Sequence, residues 1–323
     1  MTDLVEIRDL RVRFSGERTV HAINGVDLAL KQGETLGLLG ESGSGKSVTL
    51  RALLRLLPRR RTHISGAVRV DGQDVLAFDE DALAAFRGRV VSMIFQEPGL
   101  ALDPVYTIGD QIAETVVRHE GKSRAEARAR ALEMLEIVRI PSARRRLDAY
   151  PHELSGGMRQ RAMIALALSC KPKVLLADEP TTALDATVQI QILLLLRELQ
   201  REMGMSVIFV THDIGVAVEI SDRIAVMYAG QIVESGAVRD VVRTPAHPYT
   251  RGLLASTAHD ARKGERLETI PGAPPPLDTE PAACAFAPRC ACVQTTCTQA
   301  PPPVVAAHGD GLARCVLTAQ AAA

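Results

Sequence analysis

The chain has 323 residues, 46% of them hydrophobic and 24% charged, with Lys+Arg and Asp+Glu balanced at 38 each. That is enough apolar material for a full core and one large domain or a domain plus an appendage. The zero net charge and the 3% aromatic content, with no Trp, argue against a nucleic-acid field or a base-stacking platform.

The first residues lack an apolar core behind a basic start, so no export signal is expected. The longest apolar runs, such as 162–168, fall far short of the ~20 residues of a membrane helix, so any membrane-spanning part belongs to other chains.

In chain order, 3–39 reads as strands and turns. Val5, Ile7, Leu10, Val12 and Phe14 form one apolar pattern, 21–30 a second, and 35–39 a short buried strand that stops at Gly40. A glycine-rich turn leads into a helix expected over 46–57, ending at Pro58. Strands are expected at 66–70 and 90–95, and a helical stretch rich in Ala, Glu and Arg at 108–138. Strand and helix then alternate: strands at 174–177, 207–210, 224–228 and 232–234, helices at 186–203 and 214–220. Such alternation implies a parallel sheet covered on both faces. After about residue 254, clustered prolines and five of the six cysteines mark a linker and a small appendage.

Residues 40–47, Gly40-Glu41-Ser42-Gly43-Ser44-Gly45-Lys46-Ser47, fit the phosphate-loop pattern, with Val48 continuing into the helix. Glycines let backbone N–H groups turn toward phosphates, Lys46 neutralises their charge, and the Ser47 hydroxyl can reach Mg²⁺. Four apolar residues deliver Asp178 and Glu179 to a strand's C-terminal end, where ligands bind in open α/β sheets. Asp178 suits a metal ligand and Glu179 a general base for an attacking water. Ser155-Gly156-Gly157, between Leu154 and Met158, offers a second anion-binding helix start as well as a plain N-cap.

Taken together, these segments resemble the ABC ATPase family over nearly the whole chain. Residues 154–158 resemble its signature motif and Asp178-Glu179 its Walker B end. Gln96 resembles the Q-loop glutamine that contacts Mg²⁺, Ala183-Leu184-Asp185 the D-loop, and His212 the switch histidine at the γ-phosphate. Phe14 resembles the aromatic that stacks on adenine. The resemblance implies an α/β P-loop NTPase core with an antiparallel β subdomain, a helical subdomain at about 97–160 and an ATPase domain spanning 1–254. It also implies that two cassettes pack head to tail around ATP.

Residues 244–254, containing His247-Pro248-Tyr249, resemble the segment after the core in oligopeptide, dipeptide and nickel importers. The region 255–323 then resembles that branch's C-terminal extension. Cys284, Cys290, Cys297 and Cys315 match its cysteine pattern, which implies a [4Fe–4S] cluster. Four thiolates suit Zn²⁺ as well, and Cys292 is an extra thiol. Cys170 is expected simply to be packed. Ala101-Leu102-Asp103-Pro104 departs from the Ser-Leu-Asn-Pro expected after the Q-loop.

The expected function is ATP-driven uptake of di- or oligopeptides or a similar solute, at the cytoplasmic face of the cell membrane. The expected partners are two permease subunits, a second ATPase subunit (identical or different) and an extracytoplasmic solute-binding protein, with no nucleic acid. A nickel importer, an exporter motor, a regulator with a dead motor and a non-transport ABC ATPase on ribosomes or DNA are the rival readings. The intact Lys46, Asp178, Glu179 and His212 argue against a dead motor. The extension argues against an exporter. A single cassette without a long coiled-coil insertion argues against the non-transport class.

Overall fold

The computed structural model describes residues 3–182, 184–256 and 269–322. Its strands, in chain order, are β1 (Val5–Phe14), β2 (Val20–Leu30), β3 (Thr35–Leu39), β4 (Thr62–Val70), β5 (Gln73–Asp74), β6 (Val91–Ile94), β7 (Val174–Asp178), β8 (Ser206–Thr211), β9 (Arg223–Tyr228), β10 (Gln231–Ala237), β11 (Val304–Ala306) and β12 (Leu312–Arg314). The chain forms two compact units, Met1–Ala77 with Phe209–Ala323, and Phe78–Ile208.

In the first unit, β2, β1, β4 and β5 form an antiparallel sheet in that order. The alternation read in β1 is real: Val5, Ile7, Leu10 and Val12 are buried. The break between Ile7 and Leu10 is a register shift, with Asp9 at φ 44°. A two-residue period cannot cross such a bulge without changing phase. A second set of strands runs β11-β12-β10-β9-β3. Only β3 and β9 pair in parallel there; β10, β12 and β11 add antiparallel edges. β3 is buried along its whole length, as a parallel strand covered on both faces must be.

The helix after the phosphate loop spans Lys46–Leu53, four residues shorter than its apolar pattern suggests. Arg55, at φ 49°, closes it in a left-handed turn. The Arg55 N–H donates to the Ala52 carbonyl and the Leu56 N–H to the Arg51 carbonyl, at 3.0 and 2.8 Å. This double closure satisfies the terminal carbonyls that a glycine usually helps to cap.

The extension belongs to the first unit. β12 pairs with β10 through Ser235 and Leu312, so the last part of the chain completes a sheet. Phe286 packs into a core of Tyr228, Tyr249, Ile224 and Val226.

In the second unit, β6 and β7 pair in parallel and both are fully buried. Between them in sequence lie helices Pro98–Ala101, Ile108–Glu120, Arg124–Ile137, Ala143–Arg146 and Gly156–Leu168. The expected stretch 108–138 is two helices. Gly121 ends the first in the left-handed conformation, and Ser123 with Glu126 starts the second with a capping box. Helix Ala186–Met203 follows β7, opens on Asp185 and closes on Gly204. Cys170 is buried beside Val116 and Ala127, a packing role as expected.

Candidate nucleotide site and cysteine pocket

β3 ends at Leu39 and the chain turns through residues 40–45 into helix Lys46–Leu53. Gly40, Gly43 and Gly45 have φ of 154°, 79° and 108°. A Cβ on Gly40 would lie 2.2 Å from the Met227 carbonyl oxygen, and one on Gly45 2.8 Å from that of Ala22. The loop is therefore pressed onto the main chain on either side, and only glycine fits both contacts.

Lys46 is 5% exposed. Its Nζ donates to the carbonyls of Gly40 and Glu41 at 2.8 and 3.0 Å, which curls the loop around the ammonium group. The Ser44 hydroxyl is buried and has no hydrogen-bond partner among the described residues. An orphaned hydroxyl, an ammonium held by carbonyls and a helix N-terminus form a cradle that suits a polyphosphate. Ser47 and Val48 lie in the first turn of the helix. Phe14 closes β1, paired with Val20 and Thr62, and is half-buried. His212 follows the end of β8 and is exposed, just before Asp213 caps helix Ile214–Ile220 by accepting from Gly215 and Val216 N–H.

In the second unit, β7 delivers Asp178, 1% exposed, and Glu179 just beyond it. Glu179 has φ 45°, a strained setting for a non-glycine residue and one that recurs at functional positions. Its carboxylate accepts from Thr182 Oγ1 at 2.9 Å and from Gln96 Nε2 at 3.3 Å. Gln96 follows β6, the strand parallel to β7, so neighbouring strand ends bring the amide and the carboxylate together.

Ser155 caps helix Gly156–Leu168 by accepting from the Met158 N–H at 3.3 Å. A Cβ on Gly157 would meet Val188 Cγ1 at 3.0 Å. The glycine start is thus packed against the helix that Asp185 caps through the Val188 N–H. The N-cap reading of this segment is thus observed directly. Of the D-loop residues, Leu184 and Asp185 are described, and Ala183 lies outside the described residues.

In the extension, Cys284, Cys290, Cys292, Cys297 and Cys315 line one small pocket with His247. The Cys284 N–H donates to the Cys297 carbonyl at 3.0 Å, tying two cysteine segments together. Burial pushes the Cys284 and Cys290 thiols up, and the neighbouring thiols add to this. The donor set suits a soft metal. Among the described residues, however, no group of three or more His, Cys, Asp or Glu side chains stands close enough to hold a metal ion.

Two features escaped the sequence. Arg289, 7% exposed, reaches the Glu41 carboxylate with two N–H···O bonds of 2.6 and 3.0 Å. Tyr249 accepts from the Glu41 N–H through its hydroxyl at 2.9 Å. Only the position of Arg289 next to a cysteine set it apart in the sequence.

Residues 23–182 match the family model described as ABC transporter, and 233–297 match that of the oligopeptide/dipeptide transporter C-terminal region. A putative peptide import ATP-binding protein of Brucella melitensis biotype 1 is 51% identical over 97% of this chain and 96% of its own length. A probable peptide ABC transporter ATP-binding protein of Sinorhizobium fredii is 51% identical over 89% of this chain and 87% of its own. Among solved structures, the dimeric post-hydrolysis state of the ATP-binding cassette MJ0796, bound to ADP and Pi, matches with a TM-score of 0.65 and 33% identity, over 73% of this chain and 99% of that one. With the phosphate loop, the acidic strand end and the signature helix start in place, these likenesses establish that the chain belongs to the ABC transporter ATPase family and carries the C-terminal region of its oligopeptide/dipeptide branch.

Proposed function

We propose that the chain is the ATP-hydrolysing subunit of a peptide importer. The observation that carries this reading is the pairing of an intact hydrolytic set with the extension of the peptide-transporter branch. Its domains would be an ATPase domain over 1–254, with a helical subdomain at about 97–160, and an extension over 255–323.

In this reading the phosphate loop, Gly40 to Ser47 with Val48, binds the β- and γ-phosphates. Lys46 offsets their charge, and Phe14 stacks on the base. Ser47, Gln96 and Asp178 would hold Mg²⁺, which supplies charge neutralisation on the transferred phosphoryl group. Glu179 accepts the proton of the attacking water, held in aim by Gln96 and Thr182. His212 contacts the γ-phosphate. Ser155, Gly156 and Gly157 of a second cassette, identical or different, close over the nucleotide, with Asp185 beside the junction. Closure works on two permease subunits, and an extracytoplasmic binding protein delivers the peptide.

Among the described residues no helix is long and apolar enough to cross a membrane, which is consistent with a motor docked peripherally on the cytoplasmic face. The five-thiol pocket is proposed as a soft-metal site, with Cys284, Cys290, Cys297 and Cys315 as ligands of an iron–sulfur cluster or zinc. Its support is that the five thiols line one pocket; holding a metal there would require them to draw closer together, and no step of hydrolysis runs through it.

Affinity capture of the tagged chain from gently solubilised membranes, with the partners identified by mass spectrometry, tests the reading. Two multi-span permeases and a peptide-binding protein support it. Ribosomal or DNA-repair partners without a permease contradict it.

A further inference from the structure

The Arg289 guanidinium donates to four groups, the Glu41 carboxylate first among them. Its Nη atoms hold the Glu41 carboxylate, one also donates to the Tyr228 hydroxyl at 3.3 Å, and Nε donates to the Pro271 carbonyl at 2.8 Å. The other Nη reaches the Ile270 carbonyl at 3.4 Å. The guanidinium also stands 5.8 Å from the Tyr228 ring centroid and 5.9 Å from that of Phe286. Long, flexible surface arginines are not held this way; this one is buried, bidentate and within cation–π range of two rings.

What it holds is the second residue of the phosphate loop. The Glu41 N–H is fixed by Tyr249, its carbonyl accepts from Lys46, and its carboxylate is bound by Arg289. Without a cation beside it, that carboxylate would set a negative charge next to a cradle meant for phosphates. The segment carrying Pro274, Pro275 and Leu277 also lines a cavity of about 190 Å³ with Glu41, Ser42, Gly43 and Ser44. The Leu277 carbonyl accepts from the His21 N–H at 2.6 Å, and Glu280 pairs with Arg11. The extension thus borders the phosphate loop through Arg289 and the 274–277 segment, and meets β1 and β2 through Glu280 and Leu277.

The geometry points to Arg289 as a positioning residue for ATP binding: it neutralises Glu41 and fixes the first half of the phosphate loop, making the C-terminal extension a working part of the nucleotide site. This rests on the phosphate-loop reading above.

A double-variant cycle on the full-length chain tests it, with the dissociation constant of a fluorescent ATP analogue plus Mg²⁺ and the urea unfolding midpoint both measured. Arg289→Ala is expected to weaken binding roughly tenfold, the scale of losing a hydrogen-bonded ion pair. In a Glu41→Gln background the same substitution is expected to change affinity less than twofold, because no charge is left to neutralise. Arg289→Lys, which retains the cation without the fork, is expected to fall between and covers the case in which Arg289→Ala does not fold. Equal affinity of wild type and Arg289→Lys and Arg289→Ala overturns the proposal. So does a loss that is the same in both backgrounds, which marks a packing role. A wild-type chain that binds no ATP overturns the phosphate-loop reading instead.

Discussion

At the residue scale, the nucleotide site rests on backbone freedom and on buried charge. Gly40 and Gly45 sit where a Cβ would strike a carbonyl oxygen 2.2 and 2.8 Å away. Gly40→Ala is therefore expected to abolish ATP binding, with nucleotide titration as the readout, even where the fold survives. Lys46 is held by two carbonyls of its own loop, so its ammonium group is already placed for the phosphates. Lys46→Ala is expected to weaken ATP binding by more than tenfold, since a charge-assisted contact is worth about 1.5–3 kcal/mol. The same titration checks it.

At the element scale, the His247-Pro248-Tyr249 turn is fastened to β10. His247 Nδ1 accepts from the Tyr249 N–H at 3.0 Å, and Glu234 accepts from the Ala246 and His247 N–H groups. Burial, aided by the charge of Arg251, pulls the His247 imidazolium down to about 3 from an ordinary 6.5. The folded state thus keeps the ring neutral while the unfolded chain takes a proton below pH 6.5. This contribution to stability is fully present above pH 6.5 and is lost progressively as pH falls from 6.5 toward 3. Between pH 6.5 and 5 the loss is about 2 kcal/mol, at 1.36 kcal/mol per pH unit. Denaturant melts across this range should show that slope, and His247→Asn, which keeps an acceptor but does not titrate, should flatten it.

The extension's pocket gives a second test at this scale. Cys290→Ser is expected to lower the bound iron or zinc of the purified chain, read by elemental analysis. Unchanged metal content contradicts the metal assignment.

How much of this was legible in the sequence depends on the range of the interactions. The phosphate loop, the acidic end of β7, and helices Ala186–Met203 and Ile214–Ile220 follow from local patterning, caps and steric rules. The early end of helix Lys46–Leu53 was not legible, because Arg55 rather than glycine takes the left-handed turn. Nor was the pairing of β12 with β10, which joins residues some 77 apart, since Ser235 meets Leu312. The Arg289–Glu41 bond spans 248 positions and leaves no local trace. Local physics reveals the chemistry of a site. Its distant supports emerge only when the chain is folded.

At the scale of the whole molecule, the central claim is that the chain couples ATP hydrolysis to a transporter assembly. Phosphate release by the affinity-captured assembly, comparing wild type with Glu179→Gln, tests it most directly. The claim predicts ATP hydrolysis by the wild-type assembly and a drop of about 10²–10⁴-fold in the variant, the range for removing a general base, with ATP still bound and the cassettes held closed. Full hydrolysis by Glu179→Gln, or none by the wild-type assembly, would contradict it.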